Sequence, residues 1–214
     1  MRHYDTIYGI GEKNLDMASW ASQWMMFDKI DGSNLRVEMN QKTGEFVKWG
    51  SRKKLLDPED DANILTKAVK IFEDTYDQEA LCAFLKKINS KHRFTLYFEF
   101  HGPNSFAGSH DLADDHVLTL LDIWQEGRGY LSAKVLYEAF PQYAPAYLGT
   151  VNEIDSELLR KIRMGELEGM GPEGVVFKHP TEGLSRNQTR LKAKRGAWIV
   201  KVQEKHQHDW QKFI

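Results

Sequence analysis

Apolar residues recur along this chain in two rhythms, and their order outlines the architecture. A period of two marks strands and a period near 3.6 marks helices. Leu35, Val37 and Met39 alternate with Arg36 and Glu38, and a second alternating run, Phe46-Val47-Lys48-Trp49, follows the polar stretch Asn40-Gln41-Lys42-Thr43-Gly44. That pair predicts a β-hairpin. Residues 93–100 alternate again through Phe94, Leu96, Phe98 and Phe100, and residues 116–124 are apolar enough for a buried strand. Shorter strands are expected at residues 173–178, behind Gly169, Gly171 and Gly174, and at 189–194 and 198–202. Helical spacing appears at Ile64, Leu65, Ala68, Val69, Ile71 and Phe72, with Asp57-Pro58 as the expected start. It recurs at Leu81, Phe84, Leu85 and Ile88, ending near Asn89. Further helices are expected over 132–140 with Ser132 as cap, over 155–165, and over 14–24, where Trp20 and Trp24 stand one turn apart. Residues 204–214 read as a helix or tail. Hairpins mixed with helices, without regular βαβ alternation, predict an α+β fold of antiparallel β-sheets flanked by helices.

Composition changes this picture little. The chain has 214 residues, 41% hydrophobic and 28% charged, ample for a buried core. No apolar run approaches a membrane span, and the first residues lack a signal-peptide core. The single cysteine, Cys82, excludes an internal disulfide and a multi-cysteine zinc site, and its helical setting predicts a buried structural thiol. A cytoplasmic location is the default expectation. Net charge of -2 does not announce a nucleic-acid binder, but its distribution is uneven. Residues 57–61 are acidic, whereas Lys178, Arg186, Arg190, Lys192, Lys194, Arg195, Lys201 and Lys205 face only Glu182 and Glu204. Such a segment suits a polyphosphate or nucleic-acid backbone, and a solvated charged face fits it equally.

Candidate chemistry begins at Lys29-Ile30-Asp31-Gly32 behind the apolar Met25-Met26-Phe27. A lysine at the end of a buried strand can present a neutral amine where nearby cations and burial depress its pKa. An exposed Asp-Gly turn is the plainer alternative. Glu99, alone in Leu96-Tyr97-Phe98-Glu99-Phe100, is either a paired site carboxylate or a solvent-facing position beside Tyr97. Glu173 similarly opens a buried strand. Lys192 and Lys194 fall on one strand face, a spacing that can bracket a phosphate, and Arg52 is a further cation.

Taken in order, Lys29-Ile30-Asp31-Gly32, Gly50-Ser51-Arg52, Phe98-Glu99-Phe100-His101-Gly102, Leu120-Leu121-Asp122-Ile123-Trp124, Glu173-Gly174-Val175-Val176 and Leu191-Lys192-Ala193-Lys194 resemble a known motif series. The series is that of the covalent nucleotidyltransferase superfamily, which holds ATP-dependent DNA ligases, RNA ligases and mRNA capping enzymes. The resemblance runs from about residue 24 to 195, and Asn34, five positions after Lys29, resembles the RNA ligase pattern. Two departures stand out. Leu121 occupies a position often held by a purine-stacking aromatic. Only 20 residues follow Lys194, too few for an appended OB-fold, so residues 1–214 are expected to form a single adenylation domain. Residues 198–201, ending in Lys201, compete with Lys192 and Lys194 for the last motif.

The resemblance implies an ATP-dependent RNA ligase that uses Mg²⁺, or Mn²⁺ in its place. It implies Lys29 as nucleophile, with Lys192 and Lys194 as catalytic and nucleotide-binding cations and Glu173 as nucleotide contact and metal ligand. Asp28, Ile30, Asn34, Arg52, Glu99 and Leu121 would complete the nucleotide-binding site, Asn34 serving nucleic-acid phosphate as well. The implied partners are ATP and RNA ends or a nicked duplex, met by a monomer away from membranes. A minimal DNA ligase and a non-catalytic end-binding module on the same fold are the alternatives.

Overall fold

The computed structural model describes residues 1–60, 62–181 and 189–213; Asp61 of the acidic run and Glu182 and Arg186 of the basic segment lie outside the described residues. In chain order the elements are β1 (Tyr8–Gly9), a 3-10 helix (Glu12–Ala18), β2 (Trp24–Asp28), β3 (Ser33–Met39), β4 (Phe46–Ser51) and β5 (Leu55–Leu56). Next come α1 (Ile64–Thr75), α2 (Gln78–Ile88), β6 (Phe94–His101), β7 (Val117–Gln125), β8 (Gly129–Tyr130) and α3 (Ala133–Ala139). The chain finishes with β9 (Tyr147–Val151), α4 (Ser156–Met164), β10 (Gly174–Lys178), β11 (Arg190–Lys194), α5 (Gly196–His206) and a 3-10 helix (Trp210–Phe213). It divides into two compact units, Met1–Asp5 with Gly32–Leu131 and Thr6–Asp31 with Ser132–Ile214. The class is α+β, as the two rhythms predict.

The first unit is a six-stranded antiparallel sheet in the order β5-β4-β3-β6-β7-β8. Leu35, Val37 and Met39 on one face of β3 are buried with Leu96, Phe98 and Phe100 of β6. α1 covers that face with Leu65, Ala68, Val69 and Phe72. The Phe72 ring meets Phe46, Trp49 and Phe98 edge-on at centroid distances of 5.1 to 5.5 Å. Asn63 starts α1 by accepting from the Leu65 amide, and Asp77 starts α2 by accepting from the Ala80 amide. The opposite sheet face is polar yet closed. Arg36 is 1% exposed and donates to the carbonyls of Ser51 and Arg2 at 2.5 and 3.0 Å. Those bonds let a guanidinium sit in the sheet without an unsatisfied donor fork.

The second unit is a five-stranded sheet in the order β1-β11-β10-β2-β9, parallel only where β1 meets β11. Trp24 and Met26 of β2, Val175 and Phe177 of β10, and Leu191 and Ala193 of β11 pack with Leu159 and Ile162 of α4. α4 starts with Asp155 accepting from the Leu158 amide and stops at Gly165, whose φ of 77° a side chain would disfavour. The other face of this sheet carries the candidate chemistry.

Several expectations are corrected. The predicted helix over 14–24 is a 3-10 helix that ends at Ala18, with Asn14 outside helical geometry. Trp24 instead opens β2, where Trp24 and Met26 obey the period of two, and Trp20 meets its ring edge-on from the turn at 5.7 Å. Asp57-Pro58 does not start α1. Asp57 accepts from the Glu59 amide two residues on, forming a turn, and Asn63 does the capping. Residues 198–202 form the first turns of a helix, not a strand. Trp198 and Val202, four apart, supply its buried stripe, and the β-branched Ile199 and Val200 between them mimic a strand. Lys201 is exposed on that helix, so the strand that let it compete with Lys192 and Lys194 does not exist. Cys82 of α2 is half-buried rather than buried.

Phe72 joins α1 to three other rings, so Phe72→Ala is expected to cost about 3–5 kcal/mol of folding free energy. Urea titration measures it. A loss below about 1 kcal/mol would place Phe72 outside the core.

Candidate active site

β10 lies between β2 and β11, and its register decides which side chains meet. Phe27 and Lys192 both stand opposite Val176, on either side of it, and Lys194 stands opposite Gly174. Lys29 extends β2 by one residue, its amide donating to the Gly174 carbonyl at 2.9 Å. Since strand side chains alternate, Lys29 shares a face with Phe27, Val176, Lys192 and Lys194, while Met26, Val175 and Ala193 enter the core.

Glu173, just before β10, is 4% exposed. Its Oε1 lies 2.8 Å from Lys29 Nζ and 2.6 Å from Lys194 Nζ. Lys194 also donates to the Phe213 carbonyl at 2.5 Å and lies 3.7 Å from the centroid of the Trp198 ring. Trp198 in turn donates its indole N–H to Asp31 Oδ2 at 2.5 Å. Burial pushes the Lys194 ammonium down to about 8; Glu173 opposes that fall, and Lys29 and Lys192 add to it. Asp28 accepts from the Gly171 amide at 2.7 Å. Burial pushes its carboxyl upward, the Gly171 bond opposes this, and the nearby Glu173 charge adds to the rise. Ile30 and Lys192 are half-buried. Lys178, 6% exposed, adds a cation on this face, 5.5 Å from the Phe27 ring centroid.

Gly174 is required by space as well as conformation. Its φ is +143°, and a Cβ there would stand 2.1 Å from the Ala193 carbonyl oxygen. Gly32, likewise, would drive a Cβ to 2.3 Å from the Phe100 carbonyl oxygen. The motif glycine is therefore explained by close approach to β6.

The remaining candidates belong to the six-stranded unit. Asn34 on β3 pairs in register with Glu99 on β6. Its Nδ2 donates to the Phe98 carbonyl at 3.0 Å, and its buried Oδ1 has no hydrogen-bond partner among the described residues. Glu99 is half-buried, flanked across the sheet by Asn34 and Thr119, and Tyr97 on its face is fully buried, which rules out a plain solvent face. The β6–β7 register jumps from Tyr97 opposite Asp122 to Phe98 opposite Leu120, leaving Leu121 as the extra residue of a bulge. Arg52 is exposed, one residue beyond β4.

Thus Lys29, Glu173 and Lys194 are brought into direct contact, with Asp28, Ile30 and Lys192 in the same unit. Asn34, Glu99, Leu121 and Arg52 are set along β3, β6, β7 and the end of β4 in the other. Sequence reasoning missed Lys178, whose alternation with Val176 was a usable signal, and Trp198, which the strand assignment concealed. It also missed the Phe213 carbonyl, which no side-chain pattern announces. Among the described residues no group of three or more His, Cys, Asp or Glu could hold a metal ion. No described helix is long and apolar enough to cross a membrane.

Histidines border the Glu99 strand. His101, the last residue of β6, bonds Thr119 Oγ1 through Nε2 at 2.9 Å, and His110 Nε2 reaches Ser33 Oγ at 2.8 Å. Burial first, and then His116, pushes both imidazoles below their ordinary 6.5. The unfolded chain therefore takes up these protons before the folded one. Their contribution to stability is intact above about pH 6.5 and is lost as pH falls toward the depressed folded values. The melting temperature is expected to drop across that window, and His101→Gln to flatten part of the slope. An unchanged slope in the variant would exclude His101 as a source.

The RNA ligase family model matches residues 22–194 of this chain. Among curated proteins none matches. A Naegleria gruberi RNA ligase with pyrophosphate superposes with a TM-score of 0.66 at 17% identity, over 95% of this chain and 58% of that one. A ligand-free aspartate-to-alanine variant of that ligase gives 0.68 at 16% identity, over 95% and 58%. A lysine-to-alanine variant with ATP and Mn gives 0.66 at 18% identity, over 94% and 58%. The chain thus spans about 58% of the length of the structures it resembles, and these likenesses establish its fold.

Proposed function

This chain belongs to the RNA ligase family, and we propose on that premise that it joins a 5′-phosphate RNA end to a 3′-hydroxyl end at the expense of ATP. Residues 1–214 act in this reading as the adenylation domain. The observation that carries it is the single Glu173 oxygen shared by Lys29 and Lys194 at 2.8 and 2.6 Å. One carboxylate cannot neutralise two ammonium groups, and burial, with Lys29 adding to it, holds the Lys194 ammonium below the ordinary lysine range. Lys29 is 20% exposed against 6% for Lys194, which leaves Lys29 the accessible amine.

In the first step Lys29 Nζ, having lost its proton, attacks the α-phosphorus of ATP. A P–N bond forms, the P–O bond to pyrophosphate breaks, and lysyl-AMP results. Lys192 and Lys194 offset the charge that builds on the α-phosphate, the usual source of catalysis in phosphoryl chemistry. AMP then passes to the 5′-phosphate end, and the 3′-hydroxyl displaces it. Asp28 and Ile30 hold the backbone of Lys29 in register, Glu99 and Arg52 serve ribose and phosphates, and Leu121 lies against the base. Asn34 serves the nucleic-acid phosphate.

The donor set fits a hard divalent cation held by Glu173 and substrate phosphates, since Mg²⁺ commonly takes only one or two carboxylates beside phosphate. When bound, such a cation supplies charge neutralisation at the phosphates. The presence of ATP and Mn with the Naegleria ligase supports ATP with Mg²⁺ or Mn²⁺ here.

Incubation with α-labelled ATP and Mg²⁺ is expected to leave one covalent AMP on the wild-type protein and none on Lys29→Ala. A Lys29→Ala variant labelled at the wild-type rate would overturn the nucleophile, and an unlabelled wild type that still bound RNA ends would favour a non-catalytic module. Asn34→Ala is expected to keep labelling within about threefold while sealing falls by about 100-fold or more. Equal loss of both would put Asn34 in the nucleotide site. Nicked RNA and nicked DNA duplexes compared side by side separate the RNA from the DNA reading.

A further inference from the structure

Lys194 is the last residue of β11, and α5 begins two residues later. The turn is so tight that Trp198, four residues on, lays its ring back over the Lys194 ammonium, 3.7 Å from the centroid. Trp198 is 4% exposed. A buried indole needs a partner for its N–H, and here that partner is the Asp31 carboxylate at 2.5 Å. The ammonium itself is engaged on three sides. It donates to Glu173 Oε1 at 2.6 Å and to the Phe213 carbonyl at 2.5 Å, and the ring face takes the third direction. With the 2.8 Å contact from Glu173 to Lys29, a chain of side chains runs Lys29, Glu173, Lys194, Trp198, Asp31. It closes through the backbone of Ile30, because Lys29 and Asp31 are two residues apart.

A bulky core residue would need neither of the two polar contacts that Trp198 makes. We infer that Trp198 is a positioning residue for lysyl-AMP formation, holding the Lys194 ammonium on its ring face and the Asp31 carboxylate on its indole N–H. It acts through those two groups and touches no reacting atom. By fixing Asp31 from one end and Lys194 from the other, it sets where positive charge stands relative to the Lys29 amine. The inference rests on the adenylation reading above.

Two substitutions separate the two contacts. Trp198→Phe keeps an aromatic face for Lys194 and loses the donor to Asp31, whereas Trp198→Leu loses both. Single-turnover labelling with α-labelled ATP and Mg²⁺ is measured across about pH 6 to 9, beside far-UV circular dichroism and thermal melts of each protein. Trp198→Phe is expected to label about tenfold slower than wild type, the scale of one charge-assisted hydrogen bond. Trp198→Leu is expected to label about 100-fold slower. Phenylalanine in place of leucine therefore recovers about tenfold, as a ring face for the ammonium requires.

A merely structural tryptophan would lower the melting temperature while leaving the rate per folded molecule unchanged in both variants. That result overturns the inference. Should Trp198→Leu not fold, Trp198→Phe decides it alone, a wild-type rate overturning the inference and a tenfold loss upholding it. A wild-type protein that takes up no label removes the adenylation reading and the inference with it. Labelled wild type with unaltered variants removes the inference only.

Discussion

A buried carboxylate that faces two ammonium groups through one oxygen is the constraint on which the five-stranded unit turns. Glu173, 4% exposed, is held by two close cationic partners. The backbone delivers both. The Glu173 carbonyl accepts from the Arg195 amide, and the next carbonyl, that of Gly174, accepts from the Lys29 amide, each at 2.9 Å. The start of β10 is therefore clamped to β11 on one side and to the chain leaving β2 on the other. A slip of one residue in either pairing would turn Lys29 or Lys194 to the opposite face and leave the carboxylate uncompensated. Register and electrostatics enforce each other here.

The six-stranded unit manages polarity differently. Its helix-covered face is a continuous apolar surface under α1 and α2, whereas the other face carries Arg36, Tyr97, Glu99, Asn34 and Asp122. Arg36 is saturated by carbonyls and is structural. Asn34 and Glu99 lie on the same face. Both are half-buried, and the Asn34 Oδ1 acceptor lacks a partner among the described residues. A polar atom left over in a sheet is where a ligand gains most. The bulge at Leu121 belongs to the same pattern, since an extra residue in β7 re-aims its side chain and shifts the pairings beyond it by one.

Much of this was legible from residue order because alternation and capping are local. The hairpin of β3 and β4, the strands β6, β7, β10 and β11, and the cap Ser132 all follow from patterns within about ten residues. Lys29, Glu173, Lys192 and Lys194 were legible as candidates because a charged residue in an apolar strand is conspicuous. The meeting of Lys29 and Lys194 on one Glu173 oxygen was not, since it depends on β10 lying between β2 and β11, a pairing across more than 140 residues. β9 escaped notice for a local reason. None of its residues is fully buried, exposure does not alternate along it, and Gly149 has a φ of +121°, so no apolar rhythm marks it.

The misassignment of residues 198–202 is the instructive one, because two periods fit the same letters. Trp198-Ile199-Val200 is rich in strand-formers, yet Trp198 and Val202 are the residues that are buried, and their spacing of four belongs to a helix. In a strand, Trp198 and Val200 would share a face, and Val200 is instead 51% exposed. What tips the balance is the site itself. Lys194 ends β11 with its ammonium already committed to Glu173, and a chain that continued as a strand would carry Trp198 about 13 Å onward, far from that charge. Turning at once into α5 returns the ring to the ammonium, where the contact with Lys194 and the bond to Asp31 offset the weak helix preference of the β-branched pair. Local propensity was overridden by a long-range electrostatic need, and it was overridden at the candidate active site.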